Sequence, residues 1–256
     1  MYHYLKLLTK RQQKIFFNEY SLEFDVKGLP SKNIERFRKL YRVSAEQDLP
    51  ISYAFIAGFK PMMKALSHKH FAFSPLGLIH LTAEFKQFFM IDFQQHYKVV
   101  INIKQSRSHP LGKLVQIESK FYQGEKCCLI NKNTMLKKLK ATDRAPLTNQ
   151  HSYTADTPFH VDSLIARAYA KVSYDYNPIH ISERLAKLFG MPGAIIHGMY
   201  LAHLLLIEKK IVADRLKIEF KKPCLLATDI GISNNSEQWQ IFSGLDQLHL
   251  NCKLLE

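Results

Sequence analysis

The chain has 256 residues, 46% of them hydrophobic and 12% aromatic, an ordinary globular composition able to bury a sizeable core in one large or two modest domains. Its formal charge of +14 sits wholly in residues 1–150, which hold 25 Lys and Arg against 11 Asp and Glu, while 151–256 hold 11 of each. Such a surface attracts an acidic carrier protein, coenzyme A phosphates, anionic lipid or nucleic acid, although a solvated basic face accounts for most of these lysines with no partner at all. No aromatic RNP pattern or C2H2 spacing accompanies the charge, so no specific nucleic acid is expected. The cysteines Cys127, Cys128, Cys224 and Cys252 form no CxxC and no zinc spacing, and the adjacent pair points to opposite faces of a strand; reduced, structural thiols and no metal are expected. The N-terminal letters lack a signal-peptide core and no apolar run reaches about 18 residues, so the expectation is a cytoplasmic protein with no membrane span.

Along the chain, residues 1–48 mix basic residues with helical periodicity, and Ile34, Phe37, Leu40 and Tyr41 recur at helix spacing. "AFIAGFKPMMKAL" suits a mostly buried helix, which Pro61 should break or kink. Short β-prone runs follow from Leu78 to Phe85, Tyr97 to Ile103, Leu114 to Phe121 and Lys126 to Asn131. Leu136 to Pro158 is polar, carries two prolines and reads as a connector.

The same order then returns. "DSLIARAYAKV" sets Leu164, Ile165, Ala168, Tyr169 and Val172 on one helical face. "ISERLAKLFG" offers Ser182 as N-cap, Leu185, Leu188 and Phe189 on one face, and Gly190 as the stop. "AIIHGMYLAHLLLIEKK" is apolar nearly all round, a helix to be wrapped by sheet, and strand-like runs at "RLKIEFKK", "LLATDIGIS", "QWQIFS" and "LHLNCKLL" close the chain. Helices followed by antiparallel strands, twice, predict an α+β fold and an internal duplication. "LYRVSAEQDLPIS" loosely matches "AYAKVSYDYNPIH", with Ser52 where the second copy has His180.

The stretch "YAKVSYDYNPIHIS" holds the candidate chemistry. Asp175 and His180 are five residues apart, which in a helix puts their side chains about 140° apart and in a strand on opposite faces. Pro178 pushes Asn177 toward extended backbone, so the segment should be a bend rather than an element, and only such a bend lets the two groups share a water or a substrate proton. From these letters alone, turn chemistry is the favoured account of Asp-x-Asn-Pro. The flanks decide the matter.

"YAKVSYDYNPIH", then Ala186 and Gly190, "IIHGM" at 195–199 and "IEFKKP" resemble, in order and spacing, the MaoC-like (R)-specific enoyl-CoA hydratases and 3-hydroxyacyl-thioester dehydratases. The resemblance covers about 160–230. It implies a double hotdog, an antiparallel sheet wrapping long central helices, with 1–140 a degenerate repeat of basic surface and 141–256 the catalytic repeat. It further implies a hydro-lyase interconverting (R)-3-hydroxyacyl and trans-2-enoyl thioesters, of coenzyme A or acyl carrier protein, with Asp175 and His180 as the acid–base pair and the Gly198 N–H in the oxyanion site. Asn177, Tyr174 and His197 would shape the loop or meet substrate. No cofactor beyond the thioester substrate is implied, and the chain would act as a monomeric pseudo-dimer or a homodimer. Tyr174 stands where the family usually has Gly, and Leu205 and Leu206 stand where some members carry Ser. His197 and His203 also read as structural, packed histidines, and Lys221 and Lys222 as a solvated strand end. A non-catalytic acyl-thioester binding protein of the same fold is the alternative, with a hotdog thioesterase behind it.

Overall fold

A computed structural model describes residues 19–139, 158–235, 238–244 and 247–256. The described residues of Met1–Ser31 and Ala54–Asp143 form one compact unit, and those of Lys32–Tyr53 and Arg144–Glu256 form the other. The boundary expected at 140/141 and most of the connector fall outside the described residues. A single cut also does not provide for residues 32–53, which group with the second unit.

The first unit contains β1 (Tyr20–Val26), α2 (Tyr53–Leu66, of which Tyr53 groups with the second unit), β2 (Leu78–Gln87), β3 (Tyr97–His109), β4 (Gly112–Gln123) and β5 (Lys126–Lys138), with α1 (Ser31–Tyr41) preceding α2 in the chain. Its strands are antiparallel in the order β1-β3-β4-β5-β2. The second contains β6 (Phe159–Val161), α3 (Ser163–Ser173), α4 (Pro178–Ile181), α5 (Glu183–Leu188), α6 (Gly198–Glu208), β7 (Arg215–Phe220), β8 (Thr228–Asn235), β9 (Gln238–Ser243) and β10 (Gln247–Leu254). Its strands are antiparallel in the order β6-β8-β9-β10-β7. Each strand of one unit therefore has a counterpart in the other, the topological form of the duplication that the letters suggested.

The first sheet holds α2. The helix runs unbroken through Pro61, contrary to the expectation of a break. Proline removes the N–H that would bond the carbonyl four residues back, and that carbonyl, on Ala57, instead accepts from the Tyr97 hydroxyl at 3.1 Å. At Gly58 an added Cβ would lie 2.8 Å from Phe121 Cζ, so β4 approaches the helix as only glycine allows. β1 was missed in the sequence, where 1–48 read as helical; its Leu22, Phe24 and Val26 alternate with more exposed neighbours in the strand period of two.

In the second unit α6 is buried on nearly every side, from Met199 to Leu206. It begins at Gly198, four residues later than the apolar run, because Ile195 is held extended by a bridge to Leu225. α1 buries Ile34, Phe37 and Tyr41 here, and Asn33 donates to the Val172 carbonyl at 2.8 Å while accepting from the Tyr53 hydroxyl at 2.8 Å. On α3 Ala166, Tyr169, Ala170, Val172 and Ser173 are buried, Tyr169 and Val172 as expected, whereas Leu164, expected with them, is 70% exposed. Two residues from Ala166, Leu164 is rotated some 200° away. Leu185, Leu188 and Phe189 on and after α5 are exposed too, leaving Ala186 as that helix's buried residue.

Each unit holds a histidine against water, His80 half-buried in the first and His203 fully buried in the second. Burial lowers His80 in the first unit from 6.5 to about 4, against hydrogen bonds to Asn133 and the Thr82 carbonyl. Burial lowers His203 in the second from 6.5 to about 4 as well. The unfolded chain takes up these protons near pH 6.5 and the folded chain only near pH 4, so stability present at neutral pH is lost as pH falls through that window. The full loss is about 3 kcal/mol per histidine. Urea unfolding at pH 7 and pH 5 is expected to show a lower free energy at pH 5, reduced by His80→Leu; identical values would contradict the buried neutral state.

Candidate active site

The bend between α3 and α4 is built from short polar links. Asp162 caps α3 by accepting from the N–H groups of Leu164 and Ile165 at 2.9 and 2.8 Å. At the other end Tyr174 closes the helix in the left-handed conformation, φ 63 and ψ 11. The backbone thus takes a glycine-like turn at the position where the resemblance expects glycine. Ser173 Oγ donates to the Tyr169 carbonyl and accepts from Asp175 N–H, at 2.9 and 3.2 Å. Asp175 Oδ1 accepts from Asn177 N–H at 3.1 Å, and Asn177 caps α4 through its side chain, with ψ 126 as expected before proline. The expectation of a bend without an element is corrected: Pro178, pre-set for a first helical position, opens the one-turn helix α4.

That turn returns His180 toward Asp175. His180 Nδ1–H donates to the Ile195 carbonyl at 2.9 Å, so Nε2 carries the lone pair, and Asp175 Oδ2 lies 4.0 Å from it. Two acceptors face each other across a gap too wide for a direct hydrogen bond and suited to one molecule that donates to both. Burial holds His180 below its usual 6.5, with Asp175 and the Ile195 carbonyl opposing that shift. The carboxylate keeps 21% of its side-chain surface exposed and the imidazole 9%, so the pair is reachable and largely dry.

His197 stacks on His180, centroids 3.8 Å apart and planes at 26°. It precedes α6, and its Nε2–H donates to the Asp175 carbonyl at 3.0 Å, which pins the bend to the helix start. Burial, then the neighbouring His180, hold it well below 6.5. Donor atoms of Asp175, His180 and His197 lie within 4.8 Å of one another. The donor set does not suit a transition metal: nearly parallel stacked rings direct their in-plane lone pairs side by side, and a cation about 2 Å from both nitrogens would lie out of at least one ring plane.

Gly198 is the first residue of α6, where backbone N–H groups lack acceptors within the helix. A Cβ there would meet Phe220 Cδ1 at 2.8 Å. Asp175, His180, Asn177, Tyr174, His197 and Gly198 are thus all bound into one bend and helix start. Lys221 pairs with Glu219 at 2.7 Å. Tyr169, buried beneath His197 with ring centroids 4.9 Å apart, was read in the sequence only as core. Its phenol carried no signal in the letters, since a helical tyrosine at a core position looks the same whether its hydroxyl is near a carboxylate or not.

With this geometry in view the comparisons are specific. Residues 139–221 match the MaoC like domain. The 3-hydroxyacyl-thioester dehydratase X of Mycobacterium tuberculosis is 26% identical over 208 residues, 78% of this chain and 74% of the relative. The crystal structure of HtdX from the same organism superposes with a TM-score of 0.77 at 23% identity, covering 91% of this chain and 98% of that one. The fatty acid synthase beta subunit TOXC of Cochliobolus carbonum is 35% identical over 114 residues, 40% of this chain and 5% of that much longer protein.

Two substitutions test the construction. Tyr174→Gly is expected to raise stability by about 1 kcal/mol by relieving the left-handed backbone, measured by urea unfolding; a loss would show that the tyrosine side chain outweighs its strain. Gly198→Ala is expected to cost about 1–3 kcal/mol by overpacking Phe220, with part restored by Phe220→Leu; purely additive effects in that double-mutant cycle would contradict the contact. Residues 139–221 thus match a MaoC like domain, and the chain shares its α+β hotdog fold with the HtdX structure.

Proposed function

We propose that the protein is a 3-hydroxyacyl-thioester dehydratase, interconverting (R)-3-hydroxyacyl and trans-2-enoyl thioesters with Asp175 and His180 as its acid–base pair. The observation that carries this reading is the 4.0 Å gap between Asp175 Oδ2 and the lone-pair nitrogen of His180. A carboxylate and a neutral imidazole hold between them no proton to give, so the pair must first take one.

In dehydration the pair removes a proton from carbon 2 of the thioester. The carbonyl oxygen gains charge, which the Gly198 N–H at the start of α6 stabilises. The same proton then passes to the hydroxyl on carbon 3 as its C–O bond breaks, and water leaves with the enoyl thioester. In hydration a water donates to both acceptors, loses a proton to the pair as its oxygen bonds carbon 3, and carbon 2 receives that proton. Asn177 and His197 act as positioning residues, the first through Asp175 Oδ1's Asx turn and the second through the Asp175 carbonyl. This chemistry calls for no metal or redox cofactor.

The substrate is an acyl thioester of coenzyme A or acyl carrier protein, and the basic excess of residues 1–150 suits either acidic partner. We further read the first unit as a degenerate repeat, which makes the chain a pseudo-dimer, and place the protein in the cytoplasm. No helix among the described residues is long and apolar enough to cross a membrane.

The test follows loss of enoyl-thioester absorbance with short and medium trans-2-enoyl-CoA substrates and their carrier-protein counterparts. Asp175→Asn is expected to lower kcat by about a thousandfold while the fold persists, and chiral analysis of the product to give the (R) alcohol. A folded wild type that turns over none of these substrates would favour a non-catalytic acyl-thioester binding protein.

A further inference from the structure

Buried polar atoms are normally paired, and each exception needs a partner that the protein does not supply. Among the described residues five buried side-chain atoms lack a hydrogen-bond partner: Ser52 Oγ, Tyr169 Oη, His197 Nδ1, His203 Nε2 and Asn251 Oδ1. Four of the five belong to one run of neighbours in the second unit. His197 stacks on His180 at 3.8 Å, Tyr169 lies 4.9 Å from His197, and His203 lies 5.9 Å from Tyr169, all between ring centroids. The backbone of Ser52 also faces His203, opposing the effect of its burial. Leaving four such groups dry and unpaired would forfeit a large share of a domain's net stability.

The donor and acceptor inventory says what the missing partner is. His203 Nδ1–H donates to the Met199 carbonyl, so its Nε2 offers a lone pair. His197 Nε2–H donates to the Asp175 carbonyl, so its Nδ1 offers another. The hydroxyls of Tyr169 and Ser52 can each both donate and accept. Lone pairs and hydroxyls mixed in this way, deep in the fold, call for a small molecule that both donates and accepts, and water meets that description. The run starts at the imidazole stacked on His180, in a reaction that makes or consumes one water for every turnover.

We propose that Ser52, Tyr169, His197 and His203 line a buried hydration track beside the Asp175–His180 pair, which holds ordered water and carries the water molecule the reaction releases or takes up. The inference rests on the dehydratase reading above. A thioester occupying the pair would otherwise trap the water formed at carbon 3 against the pair, where it adds back to the enoyl group. Tyr169 and His203 are then positioning residues for water, acting without touching substrate.

Internal return of trapped water gives the test. A 3-hydroxyacyl-CoA is incubated with the full-length protein in heavy-oxygen water that also carries deuterium, and recovered substrate is assayed by mass spectrometry for both labels. Deuterium at carbon 2 reports proton exchange at the pair, and heavy oxygen at carbon 3 reports escape of the water. In wild type the two labels should enter together. Tyr169→Phe, which deletes one hydroxyl, and His203→Leu, which makes the track apolar, should lower the ratio of oxygen to deuterium label by about threefold or more. A ratio unchanged in both folded variants, or two labels that fall in step, overturns the track. If wild type exchanges neither label with coenzyme A or carrier-protein thioesters, the dehydratase reading fails instead. The site itself is then judged by high-resolution crystallography: ordered water bonded to Tyr169 Oη and His203 Nε2 in wild type, lost from the variants, supports it, and a dry wild-type cluster sinks it.

Discussion

The hydrogen bond from His180 Nδ1 to the Ile195 carbonyl fixes more than one imidazole. Its strand is tied back reciprocally, since Ile195 N–H donates to the Ile179 carbonyl at 3.1 Å. Two short segments fifteen residues apart are thereby locked into one register. The lock sets the histidine tautomer, leaves Nε2 as the atom facing Asp175, and delivers the following residues, Ile196 and His197, to the start of α6. Ile196 is held in its turn by the Cys224 carbonyl at 2.9 Å, and His197 by the carbonyl of Asp175. A carboxylate on a loop would ordinarily wander; here its own backbone oxygen is a structural acceptor, so its position is set from both sides of the bend.

The two units use the same strand order for different ends. Ile56-Ala57-Gly58 stands in α2 as Ile196-His197-Gly198 stands at α6, and both glycines admit an aromatic ring to within a distance that any Cβ would forbid. The packing feature survives in both copies. The polar residue between them is not shared, since Ala57 stands in α2 where His197 precedes Gly198. Ser52 groups with the second unit, buried fully. In the first unit the Ala57 carbonyl left by Pro61 accepts from the Tyr97 hydroxyl.

What could be read from the letters follows from what each signal measures. The Asp-x-Asn-Pro-x-His bend was legible because proline restricts its neighbour and because five residues fit neither regular period, and the motif at 195–199 gave it a helix to act against. The second-unit strands were legible through alternation. β1 was hidden because seven residues of period two sat between basic stretches of helical period, and β6 because three residues give no period at all. Leu164 misled because its letter is apolar while its angle on α3 faces outward. The packing of α1 in the second unit was beyond reach, since no local pattern says which of two similar sheets a helix will cover. The orphaned phenol of Tyr169 is a property of tertiary burial alone.

Neutrality is the property that joins these parts. His180, His197 and His203 all lie in the second unit's core and are all held below the ordinary histidine range by burial. The charge of Asp175 pulls His180 toward protonation, and His180 in turn pushes the stacked His197 away from it, because a second cation beside the first would be repelled. A His197 that could not protonate, such as a phenylalanine, would keep the stack and lose the hold on the Asp175 carbonyl. A lysine would keep the donor and place a permanent charge against His180. Neutral histidine satisfies both demands at once: it donates one proton to position the Asp175 backbone, keeps one lone pair on its other nitrogen, and adds no charge beside the Asp175–His180 pair.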